Sequence, residues 1–238
     1  KFIFGMKRIS SFFSSSCRAL VLGSSGAIGT ALTELLIDEI GSSRVVRISR
    51  SIDGLDLLDP KSIIQQSEKQ SGYFRLILDA TGGLEIEGVQ PEKSFKRLEY
   101  ENMVKQFKLN AIGPALLIKH FSKFLPQTGK SVFATLSARV GSIDDNLLGG
   151  WISYRSSKAA LNQIVKTASI ELSRNYPDSI CVALHPGTVK SNLTSKYLGN
   201  HKYVMPSVAA RNILDVVNCL NTGQSGGFYD YTGSSIPW

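Results

Sequence analysis

"VLGSSGAIGTAL", residues 21–32, carries three glycines, Gly23, Gly26 and Gly29, directly after an apolar run and directly before a helical pattern. Such a loop can cradle a dinucleotide, fold as a nucleophile elbow, or be no more than a tight turn. The elbow needs Gly-x-Ser-x-Gly, and Gly23-Ser24-Ser25-Gly26-Ala27 ends on alanine. A hydrolase also needs a base, and neither His120, in a helical pattern, nor His185, before a proline, is an obvious one. A P-loop would end Gly-Lys-Ser/Thr, which is absent. The dinucleotide reading fits the order strand, glycine turn, helix. Glycines let the backbone turn sharply and let a pyrophosphate approach a helix N-terminus without meeting a Cβ. The candidate contacts are therefore Gly23, Ser24, Ser25, Gly26, Ala27, Ile28 and Gly29, with Gly29 also allowing close helix–sheet packing.

The pattern outside the loop alternates. "RALVLGS", "RVVRIS", "FRLILDAT", "SVFATLS", "SICVALHPG" and "GGFYDYTG" read as strands, several of them continuous apolar runs suited to a buried parallel sheet. Between them, Ile28, Ala31, Leu32, Leu35, Leu36 and Ile40 share one helical face. Asp59 and Pro60 form a helix start, and residues 95–124 a helical region interrupted at Gly113-Pro114. "YRSSKAALNQIVKTASIELSRN" and "SVAARNILDVVNCLN" are further helices. The expected fold is α/β: a Rossmann-type, doubly wound, mainly parallel sheet of about seven strands, with helices on both faces and right-handed crossovers.

Bulk properties narrow the class. The 238 residues suit one domain, 18–238, and 42% hydrophobic with 19% charged residues suits a globular protein. No apolar stretch reaches the length of a membrane span. Cys17, Cys181 and Cys219 are widely spaced and match neither a disulfide framework nor a zinc site, and no metal is expected. Of the net charge of +8, four positive charges (Lys1, Lys7, Arg8, Arg18) precede the first acid, Glu34, and the remaining bases are scattered. That pattern argues against nucleic-acid binding and suits an anionic cofactor. Residues 1–17, rich in serine and basic residues, read either as a disordered tail or as an organellar presequence, outside the fold in both cases. The compartment is accordingly cytoplasmic, mitochondrial or plastid.

Two further features carry chemistry. The second strand ends "RISRS", with Arg47 and Arg50 and no acid before Asp53, which favours the 2′-phosphate of NADP(H) over NAD(H). In "SYRSSKAALN", Tyr154 and Lys158 share one helical face. A neighbouring ammonium favours the phenolate and lowers a tyrosine pKa from its usual value near 10, making it a workable acid or base.

On these motifs the chain resembles the short-chain dehydrogenases/reductases over residues 18–238. "LSARVGSIDDNLLGGWISYRSSKAALN" and "GGFYDYTGSSIPW" look most like the C-factor-like branch. The resemblance implies reversible hydride transfer between NADP(H), or NAD(H), and a carbonyl or hydroxyl of a small molecule. Tyr154 would be the general acid/base, and Lys158 would lower its pKa and hold the nicotinamide ribose. Asn110, in "LNAIGP", would position a proton-relaying water. Ser137 would bind the developing oxyanion, with Ser142 as fallback, because Ala138 stands three residues before Gly141, where the family places its serine. Asp56 and Leu57 would contact the adenine. Ala80, Thr81 and Gly82, in "DATGG", would line the cofactor, and Pro186, Gly187, Thr188 and Val189 would hold its nicotinamide end. A homo-oligomer, dimer or tetramer, is implied. Two alternatives remain: a cofactor-binding regulatory or signalling protein with little catalysis, and an epimerase or dehydratase of the extended branch, which the Gly-x-x-Gly-x-x-Gly spacing suggests.

Overall fold

A computed structural model describes residues 11–13, 17–191, 194 and 202–238. In chain order the elements are β1 (Ala19–Leu22), α1 (Ala27–Ile40), β2 (Val45–Ile48), α2 (Arg50–Asp53), α3 (Pro60–Glu68), β3 (Leu76–Asp79), α4 (Tyr100–Phe107), α5 (Gly113–Phe121), β4 (Ser131–Leu136), α6 (Ile152–Asn175), β5 (Ser179–His185), α7 (Pro206–Cys219) and β6 (Phe228–Asp230). One sheet has the order β2-β1-β3-β4-β5-β6, and every pair in it is parallel.

Successive strand residues point to opposite faces, so a sheet covered on both sides needs apolar residues at both parities. Val21, Leu78, Ala134 and Val182 face α1 and α7, meeting Leu32, Leu36, Ile213 and Val217. Leu22, Ile77, Phe133 and Cys181 face the other helices, meeting Leu117, Phe121, Leu161 and Val165. The expected cap of α3 is present, with Lys61 N–H donating to Asp59 Oδ1 at 3.0 Å and Pro60 as first helical residue.

Three expectations are corrected. The sheet has six strands rather than seven. The stretch between β2 and α3 is too short for another strand and is taken up by α2 and the turn at Asp56. The crossovers do not all share one hand. Helices α1 and α7 cover the same face, yet β1→β2 and β5→β6 step in opposite directions across the sheet, so the α7 connection has the opposite hand to α1. The expected interruption of the helical region at Gly113-Pro114 is present, as a π turn, Lys108–Ile112, from which α5 starts at Gly113. Pro114 brings no N–H to its helix, and its ring crowds the carbonyl four residues back, at Asn110.

The third concerns the N-terminus. Most of residues 1–17 lie outside the described residues, but Ser11–Phe13 form a 3-10 turn. Phe12 and Phe13, in edge contact at 5.2 Å, and Cys17 are buried in the α1/α7 core. Lys130 Nζ sits 4.7 Å from the Phe12 ring centre. This part belongs to the fold.

Because the chain goes from β1 to β2 and then crosses back to β3, a crevice opens at the carboxyl ends of β1 and β3, where the order reverses.

Candidate functional site

The glycine loop borders this crevice. Gly23 has φ +81°, and a Cβ there would lie 2.9 Å from the Ala80 carbonyl carbon and oxygen, so the β1 and β3 loops touch only because it is glycine. Its N–H and that of Ser24 donate to the Ile48 carbonyl at 2.8 and 3.2 Å, tying the loop to β2. A Cβ on Gly29 would run into the Gly23 carbonyl. Gly26 differs: φ is −73°, and its Cβ would make an ordinary 3.5 Å contact. It caps α1 without any side-chain hydrogen bond, and Ser25, Gly26 and Ala27 are exposed. The first turn of α1 therefore presents its N–H groups and the positive end of its dipole to the crevice.

At the end of β2, Arg47 and Arg50 are both exposed. Asp53 is engaged locally: its Oδ2 accepts the Ser49 N–H at 2.8 Å, while Ser49 Oγ accepts from Ile52 N–H. Asp56 Oδ1 accepts the Leu58 N–H at 2.9 Å, and Leu57 is buried.

The loop after β3 is fixed from beneath. Asn110, fully buried on the π turn, accepts the Gly83 N–H at 2.9 Å, donates to the Gly83 carbonyl at 2.8 Å and donates to Gln106 Oε1 at 2.6 Å. Gly82, with φ +118°, lies where a Cβ would be 2.9 Å from Asn110 Oδ1 and 3.3 Å from Lys158 Nζ. Ala80–Gly82, Asn110 and Lys158 thus converge.

Lys158 is buried and donates from Nζ to the Leu136 carbonyl at 3.0 Å. Burial lowers its ammonium to about 8, against an opposing pull from the Asp79 charge. Tyr154 sits one turn earlier, its ring 6.3 Å from that of Trp151. Burial pushes its phenol above the usual tyrosine value. The expected lowering by Lys158 is opposed here by burial.

The start of α6 shows a residue that sequence reasoning missed. Gly149, Gly150 and Trp151 have φ of +63°, +68° and +51°, a left-handed run that turns the chain into the helix. The buried carboxylate of Glu92 then caps the helix, accepting from the Ser153 N–H at 3.2 Å and from the Ser153 hydroxyl. Its distance in sequence from α6 leaves no local signal.

Neither serine reaches Tyr154 through a hydrogen bond among those of the described residues. Ser137 continues the α6-facing parity of Phe133 and Thr135, and its hydroxyl donates to Asn162 Oδ1 at 2.7 Å, two turns beyond Tyr154. Ser142 Oγ accepts the Asp145 N–H at 3.1 Å and donates to the Trp238 carbonyl at 3.4 Å.

Beyond β5, Pro186, Gly187, Thr188, Lys202, Tyr203, Val204 and Tyr231 line a cavity of about 630 Å³. Thr188 and Lys190 exchange backbone hydrogen bonds with Val204 at 2.9 Å, and Val189 is buried. Burial and the Arg139 charge lower His185 to about 4, leaving it neutral at physiological pH. Residues 192, 193 and 195–201, between Val189 and Lys202, lie outside the described residues. Among the described residues no helix is long and apolar enough to cross a membrane.

No family model matches the chain. The C-signal of Myxococcus xanthus is 34% identical over 143 residues, covering 59% of this chain and 81% of that protein. The 1-hydroxy-2-glutathionyl-2-methyl-3-butene dehydrogenase of Rhodococcus sp. (strain AD45) is 34% identical over 142 residues, covering 59% of this chain and 61% of that enzyme. In three dimensions the chain is similar to an NADPH-bound carbonyl reductase from chicken fatty liver, with a TM-score of 0.78 at 22% identity, covering 93% of this chain and 98% of the other. That likeness establishes the fold.

Proposed function

The chain belongs to the short-chain dehydrogenase/reductase family, and from that premise we propose that it is an NADP(H)-dependent oxidoreductase interconverting a carbonyl and a hydroxyl group of a small molecule. The observation that carries this reading is the convergence of Lys158 Nζ and Asn110 Oδ1 on Gly82, with Tyr154 one turn away on α6. The carbonyl reductase similar in fold binds NADPH, and a relative is a dehydrogenase, which supports both cofactor and reaction class.

The residues fit the cofactor. Gly23 lets the β1 loop close on Ala80, Gly82 lets the β3 loop close on Asn110 and Lys158, and α1 opens without a side-chain cap, leaving its first turn for an anion. Gly23–Gly29 would hold the pyrophosphate, Arg50 the 2′-phosphate, Asp56, Leu57 and Ala80–Gly82 the adenosine half, Lys158 the nicotinamide ribose, and Pro186–Val189 the nicotinamide end. When bound, NADPH supplies the hydride.

The chain's own groups handle the proton. Tyr154 donates its phenolic proton to the carbonyl oxygen, and the phenolate left behind in a buried site needs a cation, which Lys158 provides. Asn110, with its amide engaged by Gly83 and Gln106, holds the Gly82–Gly83 turn against Lys158. Ser137 serves as oxyanion donor only on leaving Asn162, so Tyr154 carries most of the polarisation of the carbonyl.

A second reading, a cofactor-binding regulatory protein with little catalysis, is favoured by Ala138 and by the engagement of Ser137 with Asn162. Titration with NADPH and NADH, followed by a carbonyl panel with the tighter cofactor, separates the two. Turnover that Tyr154→Phe abolishes supports the reductase. Tight NADPH binding without turnover supports the regulatory protein.

A further inference from the structure

Asp79 ends β3 with its side chain fully buried. Its Oδ1 accepts the Thr81 N–H at 3.0 Å and the Thr81 hydroxyl at 2.5 Å. The other oxygen, Oδ2, is buried with no hydrogen-bond partner among the described residues. Thr135, its register partner on β4, has a hydroxyl that is likewise buried and that favours the ionised form of the Asp79 carboxyl. Both residues share the strand parity of Ile77 and Phe133, so both lie on the side of the sheet that α6 covers.

A buried carboxylate oxygen with no donor is strongly disfavoured unless an opposite charge is near. That charge is Lys158, whose Nζ lies against the Gly82 turn that follows Asp79. Burial raises the proton affinity of Asp79, with Thr81, the Lys158 charge and Thr135 pulling the other way, and the Asp79 charge in turn opposes the burial that lowers Lys158. The groups acting on Asp79 are Thr81 in its own loop, Thr135 on β4 and Lys158 on α6, and Asn110 Oδ1 meets Lys158 Nζ across Gly82. Among the described residues, Asp79 is the one acid acting on Lys158.

We propose that Asp79 is a positioning residue of this site: its buried carboxylate keeps Lys158 protonated, so that an ammonium rather than an amine stands beside Tyr154. The consequence for turnover rests on the oxidoreductase reading; the charge coupling does not.

Asp79→Asn isolates the charge, since the amide oxygen can still accept from Thr81 and the amide nitrogen can donate to Thr135. Isotope-labelled lysine in the full chain, titrated by NMR, gives the Lys158 midpoint, assigned by its absence in Lys158→Met. The expected result is a fall of about one pH unit or more in Asp79→Asn. An unchanged midpoint, even alongside a loss of stability, means the carboxyl is neutral or too distant and overturns the proposal. If Asp79→Asn does not fold, labelled aspartate is followed in Lys158→Met. The Asp79 midpoint should then rise by about one unit, and no rise overturns the proposal. Where turnover is measurable, the pH limb governed by Lys158 should shift with the midpoint. Absence of carbonyl turnover would count against the oxidoreductase reading while leaving the lysine titration decisive for Asp79.

Discussion

Lys158 reaches the carboxyl end of the inner strand β4 and donates from Nζ to the Leu136 carbonyl at 3.0 Å, burying an ammonium that water would otherwise solvate. The pH dependence of stability follows. Burial places the folded value at about 8, whereas the unfolded lysine titrates near its usual value of about 10.4. Between these the unfolded chain holds more protons, so stability rises with pH through that window, and the penalty is fully present below about pH 8. Tyr154, raised by burial, acts oppositely above about pH 10. Denaturant unfolding at pH 7 and pH 9.5 should show wild type gaining on the order of 1–2 kcal/mol relative to Lys158→Met. An equal pH response in the two would refute the assignment.

Ser137 and Asn162 make opposite predictions for structure and catalysis. With the hydroxyl engaged by Asn162, Ser137→Ala should cost about 1 kcal/mol of stability, measured by urea unfolding. Its kcat should change by less than about 10-fold. A fall of about 100-fold or more would instead mark an oxyanion donor.

Glu92 anchors the start of the helix that carries Tyr154 and Lys158. Removing the cap with Glu92→Ala should destabilise the chain by about 1–3 kcal/mol, because the Ser153 N–H and hydroxyl lose their acceptor inside the protein. Equilibrium unfolding checks this, and a change within about 0.5 kcal/mol would show that the contact is not a cap.

The three loop glycines should separate by substitution to alanine. Gly29→Ala collides with the Gly23 carbonyl and should lower both thermal stability and NADPH affinity. Gly26→Ala has room in the protein and an ordinary φ, so stability should stay within about 0.5 kcal/mol. Its NADPH affinity, read by fluorescence titration, should fall because the added Cβ faces the pyrophosphate position.

Much of this architecture was legible in the sequence because it is encoded locally. Parallel strands appear as apolar runs, α3 announces itself by Asp59-Pro60, and Gly23 and Gly29 occupy positions that only glycine fits. What was not legible depends on distant partners. The serine-rich composition of the first residues hides the Phe12–Phe13 pair that reaches the core. Glu92 acquires its role only when the chain brings it back to α6. The hand of the α7 connection is a property of the whole sheet rather than of any segment. For Ser137, counting residues gave the face of the strand; the reach of Asn162 decided what the hydroxyl touches.

The central claim is that Tyr154 transfers the proton in an NADPH-dependent carbonyl reduction. It is tested most directly by steady-state NADPH oxidation against a panel of aldehydes and ketones, with wild type and Tyr154→Phe compared and NADPH binding measured for both. The expected result is turnover by wild type, a loss of about 100-fold or more in Tyr154→Phe, and retained NADPH affinity in the variant. Tight NADPH binding with no turnover by wild type, or a variant as fast as wild type, would contradict it.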